Sequence, residues 1–281
     1  MKKTFLAALL GTFIVLSLSA GGYAYSPDDP ATVKIGLTGA IYEDVWAPAA
    51  EELAAEGIKL EYVQFSNFTL PNQALANGEV DLNAFQHHAY LNDEIKSRGY
   101  KITGIGDTFI VAMNIYSNYI KDVSQLKDGD RVALPNDATN EGRALRLLES
   151  AGILKIRKDA GASPEIRDIE SYRVKVKFVE IDANLVYSIL PDVRIAVING
   201  NYALDSGLSA KEAIFMESEY PDNRYYCLIA ARTKDADNPV YRRVAQAYQT
   251  QRTIDVFDTA FKGFFIPAWT LKGGEKVGSS L

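Results

Sequence analysis

The chain holds a single cysteine, two histidines and three methionines in 281 residues. One thiol, Cys227, cannot close an intrachain disulfide, so stability has to come from a large apolar core. The two histidines, His87 and His88, are sequence neighbours; side chains at adjacent positions around a strand end diverge, which argues against a metal site. GxSxG, HExxH, a Walker-type glycine loop and a dinucleotide fingerprint are all missing, so neither a catalytic residue nor a cofactor is expected. A thiol/imidazole pair of Cys227 and His87 is the one catalytic alternative. Because Cys227 lies inside an apolar run, it reads better as a small hydrophobe or a passive pocket wall. Acidic residues outnumber basic ones by 36 to 30, without a basic run, which argues against nucleic acid or anionic lipid as partner.

Past the N-terminus no stretch approaches the roughly 20 apolar residues of a membrane span. The first 24 residues place Lys2 and Lys3 before an apolar run from Phe5 to Leu18, followed by Gly22 and Ala24 at small-residue positions. That is the layout of a secretory signal peptide, with cleavage expected after Ala24; an uncleaved anchor is the alternative. The mature chain is expected to be exported, soluble and monomeric.

From Thr32 onward strands and helices alternate. VKIGL (33–37) has period two, EDVWAPAAEELAAEG (43–57) has helical spacing, and IKLEYVQF (58–65), a helix near 71–78, VDLNAF (80–85) and a helix from about Tyr90 to Arg98 follow. A second set starts after Asp128, Gly129 and Asp130: RVAL (131–134), a helix from about Glu141 to Ala151 stopped by Gly152, VKVKFVEI (174–181), a helix near 183–190, and RIAVI (194–198). YYCLIAAR (225–232) is β-rich, and a long amphipathic helix is predicted after Pro239. Single helices between strands imply parallel pairing and an α/β fold. The expected organisation is two α/β lobes, 25–115 with 225–281 and 116–224, joined by two crossings, the first near Asn114 to Asn118. A ligand cleft would lie between them, where strand ends and helix N-termini converge and hinge closure is possible.

Three constellations are placed to line such a cleft. Phe85, Gln86, His87 and Tyr90 sit where a strand ends and a helix begins, offering two apolar faces and a ring with one donor and one acceptor. The competing reading is a core aromatic beside a solvent-facing histidine pair. In PNDATNEGRAL (135–145), Thr139 or Asn140 is predicted to cap a helix whose first turn carries Arg143. A cation there opposes the helix dipole unless an anion offsets it, and a guanidinium grips a carboxylate with two parallel bonds. The competing reading is a surface ion pair with Glu141. In AVINGNYALDSGL (196–208), Asn199 or Asn201 can accept from an ammonium and donate to a carboxylate, or simply make a turn. An aromatic patch, a hydrogen-bonding ring and a guanidinium suit capture of an amphiphilic zwitterion such as an amino acid.

PNQALANGEVDLNAFQHHAYL, GDTFIVAMNIYS, PNDATNEGRALRLLESAGIL and AVINGNYA, in this order and spacing, resemble the methionine-binding lipoproteins of ABC importers, the NlpA or MetQ family. The resemblance runs from VKIGL to FKGFFIPAW (261–269). It implies a two-lobed periplasmic-binding-protein fold of the type II kind, a methionine-like ligand, a permease and ATPase in the inner membrane as partners, and a periplasmic location. Ligand contacts carried over from the family fall on Phe85, His87, Tyr90, Asn140, Arg143 and Asn199. Asn67 and Phe68 replace a family aspartate and tyrosine, so Phe68 keeps the ring of the thioether wall without its hydroxyl. Cys227 stands where the family has an asparagine that hydrogen-bonds the polar end of the amino acid. The family's lipobox cysteine has no counterpart in SLSAGGYAYS, so the expectation is an unanchored chain. A short peptide or organic anion as ligand, or a sensor without transport, are the alternatives.

Overall fold

The computed structural model describes residues 30–261 and 264–271. Residues 1–29, on which the expected signal sequence falls, residues 262–263 of FKGFFIPAW and residues 272–281 lie outside the described residues. Fourteen strands follow one another: β1 (Ala31–Leu37), β2 (Ile58–Gln64), β3 (Leu82–Asn83), β4 (Ile102–Asp107), β5 (Phe109–Val111), β6 (Asn114–Tyr116), β7 (Arg131–Pro135), β8 (Leu154–Ile156), β9 (Ile169–Tyr172), β10 (Lys177–Ile181), β11 (Ile195–Ile198), β12 (Phe215–Met216), β13 (Leu228–Arg232) and β14 (Phe265–Pro267). Among the described residues seven α-helices lie between them: α1 (Ile41–Ala55), α2 (Leu70–Asn77), α3 (His88–Arg98), α4 (Ala138–Ser150), α5 (Gly200–Asp205), α6 (Pro239–Tyr248) and α7 (Gln251–Ala260).

Two five-stranded sheets form the two lobes, in the orders β2-β1-β3-β13-β4 and β10-β7-β11-β6-β12. In the first, β1 pairs in parallel with β2 and β3, while β13 returns antiparallel between β3 and β4. In the second, β7 pairs in parallel with β10 and β11, and β6 and β12 complete the sheet antiparallel. The mixed α/β class expected from alternating periodicities is the one observed. The chain passes from the first lobe to the second between β5 and β6 and returns between β12 and β13. The strand β6 straddles the expected boundary at 115–116, and its pairing partners β11 and β12 both belong to the second sheet.

Buried α1 residues Tyr42, Val45, Trp46, Ala49 and Leu53 recur at helical spacing and pack, with Val244, Tyr248 and Phe257 of α6 and α7, on β1 and β13. The opposite face of that sheet is covered by Ala74 and Leu75 of α2 and Leu91 of α3. In the second lobe Ala144, Leu145 and Leu148 of α4 cover one face, and Val186, Leu190 and Tyr202 the other.

Four local expectations change. VDLNAF is extended but only Leu82–Asn83 ladders, because the following residues bend into the loop that starts α3. The helix expected near 183–190 is two 3-10 turns, Ala183–Leu185 and Tyr187–Asp192, the second containing Pro191, which lacks the N–H a helix needs. The long helix after Pro239 breaks between α6 and α7, where Gln249 leaves helical geometry and its side-chain amide donates to the Asp107 carbonyl at 2.8 Å. Helix α4 begins at Ala138 rather than Glu141, with Asp137 as its cap: the Asp137 carboxylate accepts from the Asn140 N–H at 3.0 Å. Thr139 and Asn140 are therefore inside the first turn and Arg143 is in the second, where the dipole conflict expected for it largely disappears.

Candidate functional site

The cavity between the lobes is walled by the ends of β3, β5, β11 and β13 and the starts of α3, α4 and α5. Its lining includes Phe68, Phe85, His87, Tyr90, Asn140, Arg143, Asn199 and Cys227, the eight candidate ligand contacts, with Gln86 and Asn201, also named in the sequence, and with Tyr42 and Val111. The cavity, its mouth included, measures about 340 Å³. The lobes meet across it: from α5 of the second lobe the Asn201 amide donates to the Thr38 carbonyl of the first at 3.2 Å.

The apolar end is a cluster of rings. Phe68 lies 5.8 Å from Phe85, 6.0 Å from Tyr90 and 4.9 Å from Tyr202 of the second lobe, centroid to centroid. The Tyr90 hydroxyl donates to the Phe68 carbonyl at 3.0 Å and fixes the loop that carries this ring. Beneath it, Asn72, Asn83 and Gln86 exchange buried amide bonds of 2.7–3.0 Å, which settles the loop on β3. Gln86 is thereby spent on structure.

The polar end is a chain of hydrogen bonds with a defined direction. Asn140 donates its amide N–H groups to both Asp137 oxygens at 2.9 and 3.0 Å, so its Oδ1 must accept. It accepts from the Asn199 Nδ2 at 2.8 Å and stands 3.3 Å from His87 Nε2. His87 caps α3, its Nδ1 accepting from the Tyr90 N–H at 3.1 Å. With Nδ1 an acceptor, the ring proton resides on Nε2 and His87 donates to Asn140. That leaves the Asn199 Oδ1, buried and without a hydrogen-bond partner among the described residues. A buried acceptor in this condition costs about 1–3 kcal/mol, which a bound N–H donor would recover.

Arg143 is buried and does form an ion pair, as the bland reading anticipated, but with Glu217 rather than Glu141. Its Nε donates to Glu217 Oε1 at 2.8 Å and its Nη2 to Oε2 at 2.5 Å, while Nη2 also reaches the Val111 carbonyl at 2.9 Å. The Tyr225 ring lies 4.5 Å beneath the guanidinium carbon and 5.3 Å from His87. Burial opposes the charge on Arg143, and the Glu217 carboxylate more than offsets that, holding it protonated. Glu217, Tyr202, Tyr225 and Asp137 were not singled out by sequence. Glu217 sits in MESEYPDNR (216–224), a segment that the sequence reading passed over.

Burial, with the Arg143 charge as a second cause, lowers the His87 pKa from 6.5 to about 3. Between those values the unfolded chain binds a proton that the folded chain refuses, so stability falls as pH drops through this window. The slope approaches about 1.4 kcal/mol per pH unit. Burial also raises the Asp137 carboxyl, which works in the opposite direction in the acid range. Urea denaturation of the wild type and of His87→Gln at pH 7 and pH 4.5 isolates the histidine contribution: the variant is expected to lose less stability on acidification. An equal loss in both would show that His87 is not the residue excluded from protonation.

Cys227 is buried and joins His87 through an isolated antiparallel bridge. Burial pushes its thiol up to about 12, so it stays neutral at physiological pH and offers no thiolate nucleophile. His88, the other histidine, turns away to Asp107 at 2.7 Å. Among the described residues no group of His, Cys, Asp and Glu is placed to hold a metal ion, and no helix is long and apolar enough to cross a membrane.

The sequence profile of the NlpA lipoprotein family matches residues 33–269. The D-methionine-binding lipoprotein MetQ of Salmonella typhimurium is 38% identical over 274 residues, 95% of this chain and 98% of the relative. The structure of a nutrient-binding protein from Burkholderia cenocepacia, bound to methionine, superimposes with a TM-score of 0.78 at 37% identity over 84% of this chain and 99% of its own. An ABC-transporter periplasmic substrate-binding protein from Coxiella burnetii superimposes at 0.79 with 35% identity, over 84% of this chain and 99% of its own. These relatives carry the names of binding proteins, not enzymes, and share the two-lobed fold expected from the sequence. Lipoprotein names among them do not support the expectation of an unanchored chain, and the N-terminal residues that bear on it lie outside the described ones. With a profile match from Val33 to Trp269 and likeness over nearly its full length, the chain belongs to the NlpA lipoprotein family.

Proposed function

We propose that this protein is the solute-binding component of an ABC importer and closes its lobes on methionine or a closely related amino acid. The observation that carries the reading is the unpaired, buried Asn199 Oδ1 in a cavity that also holds the Arg143 guanidinium and the rings of Phe68, Phe85 and Tyr90. An acceptor, a cation and an apolar slot are complementary to an ammonium, a carboxylate and an apolar side chain on one small molecule. A thioether suits a ring-lined slot, since sulfur makes favourable contacts with aromatic edges. In this reading Asn199 receives the ammonium, Arg143 holds the carboxylate, and Asn140 and His87 keep the Asn199 amide turned so that its oxygen faces the ligand. Cys227 and Tyr90 complete the wall. The hinge is placed at Ala112–Met113 and in the connection 217–227. The exported protein works as a monomer in the periplasm and delivers its ligand to a permease and ATPase in the inner membrane.

A thermal-shift screen of the ligand-stripped protein tests this against methionine enantiomers, methionine-containing dipeptides and simple organic anions. Methionine at 100 times its dissociation constant should stabilise by about 2.7 kcal/mol, several degrees in Tm. A shift by anions or peptides and none by methionine would reject the assigned ligand class.

Replacing Cys227 by asparagine supplies an amide where the thiol is a weak donor and weak acceptor. Methionine is expected to bind Cys227→Asn roughly tenfold more tightly, the worth of about one good hydrogen bond. Calorimetry showing equal or weaker binding would mean that Cys227 faces only the apolar part of the ligand.

A further inference from the structure

We infer that Glu217 sets the charge preference of the cleft, neutralising Arg143 so that the site selects zwitterions over simple carboxylates. The inference rests on the amino-acid reading above and specifies how the site tells one carboxylate from another.

Glu217 directly follows β12, at the start of the return crossing. Its Oε2 accepts from the Met113 N–H at 2.9 Å, and its own N–H donates to Asn114 Oδ1 at 3.2 Å, so the return crossing is tied through Glu217 to the first. The Arg143 and Glu217 side chains are only 4% and 9% exposed, so their charges face each other with little water between them. The Nε and Nη2 of Arg143 are taken up by Glu217 and by the Val111 carbonyl. The parallel two-bond grip that a guanidinium can offer a ligand carboxylate is thus already made with the protein's own Glu217.

The charge inventory points the same way. His87 is uncharged in its Nε2–H form, and Asp137 accepts hydrogen bonds on both oxygens at the polar end of the cavity. Arg146 and Arg224, on the far side of Arg143 from the cleft, are occupied by Glu149 at 3.2 Å and Asp222 at 2.7 Å. The cleft thus carries no net positive charge. A mono-anion entering it would gain from Arg143 about what it loses to Glu217 and Asp137, and in a poorly hydrated space both effects are magnified. A zwitterion brings its own ammonium, which meets the orphan Asn199 Oδ1 and balances the added carboxylate.

The test uses competition calorimetry with methionine, methioninamide, which keeps the ammonium and lacks the carboxylate charge, and 4-(methylthio)butanoate, which does the reverse. Wild-type protein is expected to bind methioninamide at least about tenfold more tightly than the butanoate, a gap of about 1.4 kcal/mol. Glu217→Gln, which keeps the shape and removes the charge, is expected to close or reverse that gap. Two results overturn the inference: a butanoate bound as tightly as methioninamide by the wild type, or a folded Glu217→Gln protein with the gap unchanged. Should the variant fail to fold, the wild-type order decides alone. Failure of the wild type to bind methionine at all would remove the underlying reading and this inference with it, whereas methionine binding with the reverse order removes this inference only.

Discussion

Arg143→Ala is expected to weaken methionine binding by at least about a hundredfold and to cost the unliganded fold about 3–5 kcal/mol. The two losses have separate causes. Binding falls because the guanidinium is the cavity's only cationic lining residue among those described, and a desolvated carboxylate without a cation is strongly disfavoured. Stability falls because the Glu217 carboxylate, whose side chain is 9% exposed, is left buried without its partner. The double variant Arg143→Ala/Glu217→Ala separates them: urea denaturation should recover most of the stability while calorimetry still shows no methionine binding. Recovered binding in the double variant would show that Arg143 serves only to neutralise Glu217. An unstable double variant would show that the pair does more for the hinge than cancel charge.

Gly200→Ala is expected to weaken binding by roughly ten- to hundredfold through the closing motion rather than through ligand contact. A Cβ built on Gly200 would lie 2.3 Å from Val111 Cγ2, 2.5 Å from the Ala112 carbonyl oxygen and 3.0 Å from Phe264 Cε1. These are atoms of the first lobe and its crossing, while Gly200 begins α5 of the second. The carbonyl belongs to the backbone and cannot rotate away, so the contact is relieved by holding the lobes apart. Small-angle scattering with saturating methionine should therefore report a larger radius for the variant than for the wild type. Wild-type affinity and an unchanged radius would show that the close approach at Gly200 is not part of closure. The effect is specific to close approach, since no positive φ is required at this position.

The fold was largely legible because its elements carry their own periodicity. The apolar repeat of α1 and the alternation of β1 are local, and the order of strands and single helices constrains the topology. The ends were less legible where long-range groups decide them: after Asn83 the chain bends into the loop that starts α3, and the buried amides of Asn72, Asn83 and Gln86 hold that loop. Asp137 as cap of α4 was obscured by two further capping candidates, Thr139 and Asn140, within the next three residues. In the cavity, all eight residues anticipated from FQHHAY, NEGRAL, INGNYA, Phe68 and Cys227 are brought together. Glu217, 74 residues from Arg143, gave no local signal: it stands between Met216 and Ser218 with a second acid at Glu219, and its partner is set by the packing of distant segments. Tyr202 and Tyr225 went unmarked for a related reason: one more tyrosine among 16 is usually core.

Titration calorimetry of the ligand-stripped protein with L- and D-methionine, beside Asn199→Ala, tests the central claim most directly. The account predicts one methionine bound per chain by the wild type, and binding weakened by about ten- to hundredfold when the Asn199 acceptor is removed. No heat from either enantiomer with the wild type, or equal affinity in the variant, would contradict it.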